Sequence, residues 1–291
     1  SVYHAVSAFN NCGYSLFSDN LMGYRSDWIV NLTIMGLLIL GGIGFIVLHE
    51  LMARWRGSQK RLSVHTKIAL ITTGFLVVSG AVLFYLFERS FIVKDMDLST
   101  TILVSIFQAV SPRTCGFNTV DLALLTNGAI LLIMILMFIG ASPGSTGGGI
   151  KTTSAALLFL MIWNRFKGHD EVNVFNRTIP KEILTRTISI IIASAFSVSL
   201  ITSVLLLAGS ANLPPLESRH FFVEYLFETI SAFGTVGLSM NVTPKLNEIQ
   251  KIAVIIMMFA GRVGPLTLAF SLAAASSKRE ITYAEETVMV G

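Results

Sequence analysis

The feature that most constrains this chain is the stretch Gly140-Ala-Ser-Pro-Gly-Ser-Thr-Gly-Gly-Gly-Ile-Lys-Thr-Thr153, set inside an otherwise apolar run over residues 126–163. At about 1.5 Å per residue, that run is far longer than the roughly 20 residues a membrane-spanning helix needs. No continuous helix tolerates Pro143 followed by four glycines within six positions. The run therefore reads as a membrane helix broken near its centre by a small, polar, flexible segment. Irregular backbone survives at membrane depth only when it is buried in protein or lines a watery path. The stretch is expected to sit in a permeation pathway.

Composition supports a polytopic membrane protein: 53% of the 291 residues are hydrophobic, 13% are charged, and the mean hydropathy is +0.71. Cys12 and Cys115 form no disulfide framework or metal signature. The five histidines lack ligand spacing, so no metal-ligand cluster is expected. Net charge is +4, with the basic residues scattered or confined to short loops, which excludes a nucleic-acid partner. Ser1 opens the chain without Met or a signal-like segment and reads as the start of a fragment.

The chain repeats a pattern. A short apolar piece at 2–10 precedes Asn11-Cys12-Gly13-Tyr14, and residues 28–53 are expected to span as one helix. Residues 66–87 span, a short segment at 100–110 precedes Thr114-Cys115-Gly116-Phe117, and the broken helix follows. Residues 183–208 span, a short segment at 219–233 precedes Thr235-Val236-Gly237-Leu238, and residues 248–275 form the last span. The sequence Ser-Ala-Phe recurs at 7–9 and 231–233, and Gly13, Gly116 and Gly237 lie 103 and 121 residues apart. The unit is thus a spanning helix, a short helix, a glycine turn and a second spanning helix. The division expected is 1–53 (second repeat, lacking its first helix), 66–163 (third repeat), 182–275 (fourth repeat) and 276–291 (cytoplasmic tail).

Basic loops at 54–67 and 165–186 carry five Lys/Arg each, and the tail adds Lys278 and Arg279, against six on the other side. This bias puts those loops in the cytoplasm and turns the glycine segments outward. Both loops follow a second spanning helix, so the repeats are parallel. A short helix returning as extended backbone can offer carbonyls to an axis, and rings of carbonyls replace the hydration shell of potassium. The residues flanking glycine vary (Cys, Cys, Val before it; Tyr, Phe, Leu after it), as expected if the main chain does the work.

With these residues in view, the chain resembles the KtrB-like membrane subunits of the Ktr/Trk/HKT superfamily of potassium transporters. The resemblance rests on the three glycine segments, the stretch at 140–153, Gly261-Arg-Val-Gly-Pro-Leu-Thr267 and the terminal Val288-Met-Val-Gly291. It implies an all-α polytopic fold, with four helix–pore loop–helix repeats arranged pseudo-fourfold around one central pore, the first repeat lying upstream of this chain. It implies a filter binding K⁺ through residues 11–14, 114–117 and 235–238. It also implies a gating loop of Ala141, Ser142, Pro143, Gly144, Ser145, Thr146, Gly147, Gly148, Gly149 and Lys151 on the cytoplasmic side of that filter.

Arg262 is placed about halfway along the last span, where a cation is costly, and the resemblance implies that it approaches this loop and adds positive charge to the pathway. A fixed pairing to loop carbonyls or to a carboxylate is the alternative role. Lys151 either caps the loop or faces the vestibule, and Arg113 is expected to bond pore-helix backbone. The resemblance further implies potassium uptake across the plasma membrane, a homodimer to which the tail contributes, a cytosolic ring of nucleotide-binding RCK domains, and sodium as an activator. No enzymatic activity is expected. The alternative is a secondary carrier with a substrate site at the broken helix, which predicts inverted repeats.

Overall fold

The computed structural model describes residues 1–58, 61–169, 171–210 and 214–264. Lys60, the last span beyond 264, and the tail 276–291 with its expected dimer contact lie outside the described residues. Ten helices run through the described chain: α1 (Val2–Phe9), α2 (Trp28–Gly42), α3 (Phe45–Trp55), α4 (Val64–Glu88), α5 (Leu98–Val110), α6 (Asn127–Phe138), α7 (Thr152–Phe166), α8 (Lys181–Ser210), α9 (Pro215–Gly234) and α10 (Glu248–Val263).

The sequence sets most helix starts by local chemistry. Side chains of Asp27, Ser63, Asp97 and Thr126 each accept from backbone amides in the first turn of α2, α4, α5 and α6. Asn247 and Gln250 form a reciprocal capping box on α10. Such caps satisfy amides that have no helical partner.

The molecule is apolar on the outside as well as within. α4 exposes Ile71, Phe75, Val78 and Val82, α8 exposes Ile192, Phe196 and Leu200, and α10 exposes Ile252, Ile255 and Phe259. Among the described residues, α4 and α8 are long and apolar enough to cross a membrane, and α2 with α3 qualify together as a bent pair. The short helices lie inside: α5 buries Leu103, Val104 and Phe107, and α9 buries Phe227 and Phe233. Each packs between the flanking helices of its own unit, α5 between α4 and α6, and α9 between α8 and α10; α1 packs on α2. Contacts of α2 with α5 and of α6 with α9 join neighbouring units.

Three expectations are corrected. Residues 28–53 do not form one helix: α2 and α3 meet at a bend of 102°. Its pivot is Gly44, at φ 92° and ψ 144°, while the preceding Ile43 keeps helical angles. Next, α10 ends at Val263 on Gly264 (φ 92°), so Arg262 lies in its last turn rather than at mid-helix. Finally, the basic loop after α7 carries a small antiparallel hairpin, β1 (Asn173–Val174) with β2 (Arg177–Thr178), which no alternation in the sequence announced.

A buried carboxylate pins two elements of the central unit. Glu88, fully buried at the end of α4, accepts through Oε1 from the Thr126 amide (2.8 Å) and hydroxyl (2.7 Å) at the start of α6. Replacing Glu88 by Ala would strand that amide, at about 1–3 kcal/mol. Glu88→Ala is therefore expected to lower the thermal midpoint of the detergent-solubilised protein by several degrees, whereas Glu88→Gln, which keeps an acceptor, stays near wild type.

Candidate functional site

Three turns of one design follow the short helices. In each, the residue two before the glycine leaves ordinary backbone space: Asn11 has φ 52°, Thr114 137° and Thr235 51°. The glycines follow at 72°, 81° and 89°, in the left-handed region where a side chain is strained. The hydrogen bonds repeat as well. The amides of Cys12, Cys115 and Val236 donate to the carbonyls of Ser7, Ser111 and Ser231 at 2.9, 3.0 and 2.9 Å. In the first two turns the same serine also donates its hydroxyl to the carbonyl just past the glycine, Ser7 to Tyr14 (2.9 Å) and Ser111 to Phe117. The sequence reading missed these serines, although Ser-Ala-Phe was already on view as a repeat.

The turns stand side by side in chain order. A Cβ placed on Gly13 would lie 1.6 Å from the Cys115 carbonyl oxygen, and one on Gly116 would lie 2.1 Å from that of Val236. Each glycine is thus required by the main chain of the next turn, and neither site could accept any side chain. Thr114, Cys115, Gly116 and Phe117 are buried together, as are Val236 and Leu238, whereas Cys12 and Tyr14 of the first turn are exposed. Past the glycines opens a polar cavity of about 260 Å³, lined by Asp19, Asn20, Asn118, Asp121 and Asn241 beside Gly116 and Gly237.

On the other side of the turns lies the glycine-rich loop between α6 and α7. Its neck is closed: Ile139 and Ile150 form a parallel bridge, and the Ser142 and Thr152 hydroxyls are 2.9 Å apart. Its tip meets the three turns in register. Asn11 Nδ2 donates to Thr146 Oγ1 at 2.7 Å. A Cβ on Gly147 would lie 2.6 Å from the Thr114 side chain, and one on Gly148 would lie 2.4 Å from Thr235 Oγ1. Three successive loop residues thus face the three turns, and two of them must be glycine for the loop to come this close.

Two cations grip the loop by consecutive carbonyls. Arg262 donates to the Thr146 oxygen, and Lys151 Nζ to the Gly147 oxygen at 2.6 Å. Lys151 thus bonds within the loop, and the Arg262 contact is to a loop carbonyl rather than to a carboxylate. Arg113 differs from its expected bond to helix backbone: it is buried and donates to the Thr73 hydroxyl on α4 at 3.3 Å.

The bend between α2 and α3, unforeseen, is the loop's other wall. Ser142 N donates to Gly42 O (2.9 Å) and Thr146 N to Gly41 O (3.3 Å), while Phe45 N donates to Gly144 O (3.0 Å). The signal that could have found it is Gly41-Gly42-Ile-Gly44, whose first and last glycines recur as Gly261 and Gly264 at the end of α10. The recurrence is structural too. A Cβ on Gly41 would lie 1.9 Å from Phe9 O, and one on Gly261 would lie 1.9 Å from Phe233 O, the two Ser-Ala-Phe phenylalanines.

Comparison with known proteins agrees with this architecture. Residues 1–280 match the family described as TrkH, cation transport protein. Among curated proteins, the chain is 40% identical over 293 residues to the Ktr system potassium uptake protein B of Vibrio alginolyticus, covering 100% of this chain and 62% of that one. It is 38% identical over 295 residues to the protein of the same description from Bacillus subtilis (100% and 63%). It is 35% identical over 298 residues to the potassium/sodium uptake protein NtpJ of Enterococcus hirae (100% and 64%). The chain therefore spans less than two thirds of the length of these relatives. The crystal structure of the potassium transporter TrkH from Vibrio parahaemolyticus superposes with a TM-score of 0.74 at 21% identity, covering 91% of this chain and 56% of that one. The fold is accordingly that of an all-α polytopic membrane protein whose helix–pore loop–helix repeats surround one central pore. On the family match over residues 1–280, this chain belongs to the TrkH family of cation transport proteins.

Proposed function

We propose that this chain forms most of a potassium-uptake pore of the plasma membrane, with the three glycine turns as its filter and the loop at 141–151 as its gate. The observation that carries the reading is the register of loop on turns: a plug of small residues seated directly against three main-chain segments that share one hydrogen-bond pattern. Left-handed backbone at Asn11, Thr114 and Thr235, and at the glycines, frees carbonyls from helical bonding so that they can replace ion hydration. The polar cavity with Asp19 and Asp121 becomes the outer mouth, where negative charge gathers cations. Arg262 and Lys151 place two positive charges at the plug, raising the barrier to a cation while the loop is seated.

The relatives' descriptions, potassium uptake in two cases and potassium/sodium uptake in a third, support the choice of ion. On the same reading the transporter works as a homodimer on a cytosolic RCK-type nucleotide-binding ring, with the basic loops at 54–67 and 165–186 toward that ring and sodium as activator. Purification of the active transporter as a lone monomer would remove the first part, and flux indifferent to sodium the second. A secondary carrier accounts less well for the site, because the three turns follow one another in parallel order.

Ion flux into vesicles holding the full-length transporter, with potassium, rubidium, sodium and lithium offered separately, tests the reading. Potassium and rubidium are expected to enter in preference; equal entry of all four would defeat the filter assignment. Gly116→Ala, which drives a methyl into the Val236 carbonyl, is expected to abolish that preference. Arg262→Ala is expected to raise potassium flux about tenfold, the scale of one charge-assisted hydrogen bond. Unchanged flux in this variant would show that the arginine sets no barrier.

A further inference from the structure

The loop and the bend between α2 and α3 satisfy one another's main chain. At the end of a helix the last carbonyls lack helical donors, and at the start of the next the first amides lack acceptors. Here Gly41 O and Gly42 O accept from loop amides, and Phe45 N donates to loop Gly144 O. A straight helix through this point would use the same groups differently, pairing Phe45 N with Gly41 O and Ile46 N with Gly42 O in the ordinary i to i−4 pattern. Only one residue stands between the two arrangements. Ile43 is already helical at φ −81° and ψ −21°, and Gly44 alone, at φ 92° and ψ 144°, departs from it. The seated loop also fills the space at that glycine: a Cβ on Gly44 would lie 2.4 Å from Pro143 O.

We propose that Gly44 is a one-residue hinge of the gate, so that release of the loop and straightening of α2–α3 are a single transition. This rests on the gate reading above and adds to it a moving part outside the loop. Departure of the loop on its own would deprive the Gly41 and Gly42 carbonyls and the Phe45 amide of their protein partners and leave them to pore water. Straightening repairs all three at once. Protein pairing of all three groups therefore favours the two end arrangements over anything between them. Gly44 acts as a positioning residue: it touches no ion, and it sets where the wall of the loop's seat lies. Asn11 supports the same seat, since the Thr146 hydroxyl that accepts its amide lies 3.2 Å from Gly41 O and can donate to it.

The test reads geometry and flux together. Ile29 and Trp55 are exposed near opposite ends of the bent pair. Spin labels on Ile29→Cys and Trp55→Cys are introduced into the full-length transporter with the exposed Cys12 replaced by Val for the distance measurement, while flux is read in unlabelled protein that keeps Cys12. With the bend in place the helix geometry puts the labelled backbones about 24 Å apart, and in a straight helix about 39 Å. Gly44→Ala, strained only in the bent form, is expected to move the distance distribution toward the longer value and to raise rubidium flux about tenfold. Deleting residues 143–148 is expected to lengthen the distance by itself, and Gly44→Ala added to that deletion should change neither readout further; a general folding defect would lower flux in both backgrounds. A distance that stays short in both variants overturns the proposal. A long distance in Gly44→Ala with wild-type flux overturns it too, and in that case a raised flux in Arg262→Ala leaves the gate itself standing.

Discussion

Main-chain amides and carbonyls removed from water must be paired, and in apolar surroundings they can pair only with protein. That constraint explains why the irregular parts of this molecule occur together. The three glycine turns, the loop at 139–151 and the bend at Gly44 are each a place where helical bonding stops. Each lends its free groups to another: the turns to the serine carbonyls of their own short helices, the loop to the ends of α2 and α3. Isolated in a bilayer, any one of them would be costly. Gathered together, they form one packed body around which the regular helices stand.

Much of this was legible in the sequence because it repeats. The glycines, the short apolar segments before them and the Ser-Ala-Phe triplets recur with enough spacing to mark units, and Pro143 with its glycines could not be helix. The bend was not legible. Gly41, Gly42 and Gly44 lie in an apolar run of spanning length, and glycine is common enough in membrane helices that such a run reads as continuous. What breaks it is a partner a hundred residues away, and no local propensity carries that information. The bond of Arg113 to Thr73 was hidden for the same reason, since a buried guanidinium takes whichever acceptor the fold brings. The role of Lys151 turned on a side-chain reach of one loop turn, which spacing alone left open.

The electrostatics follow from helix ends as much as from side chains. Arg262 sits in the last turn of α10, where the negative end of the helix favours a cation. That placement favours the position of the guanidinium beside the Thr146 carbonyl. At mid-helix, where the sequence reading had put it, the same residue would have had no such help. The Gly147 carbonyl makes a good partner for Lys151 because glycine leaves the oxygen unshielded.

The seat of the loop is lopsided. Its main-chain bonds run to the bent pair α2–α3, while Thr114 and Thr235 meet it only through side-chain contact with glycine. In a ring of identical subunits a change to one wall is copied to every wall, so a plug attached on one side has no way to be specified. Duplicated units within one polypeptide escape that rule, because each can mutate by itself. The long glycine-rich loop could arise between α6 and α7 without being imposed between α2 and α3, which only Ile43 and Gly44 join. The asymmetry of the plug is thus a kind of inheritance open to a fused chain and closed to an assembly of equals.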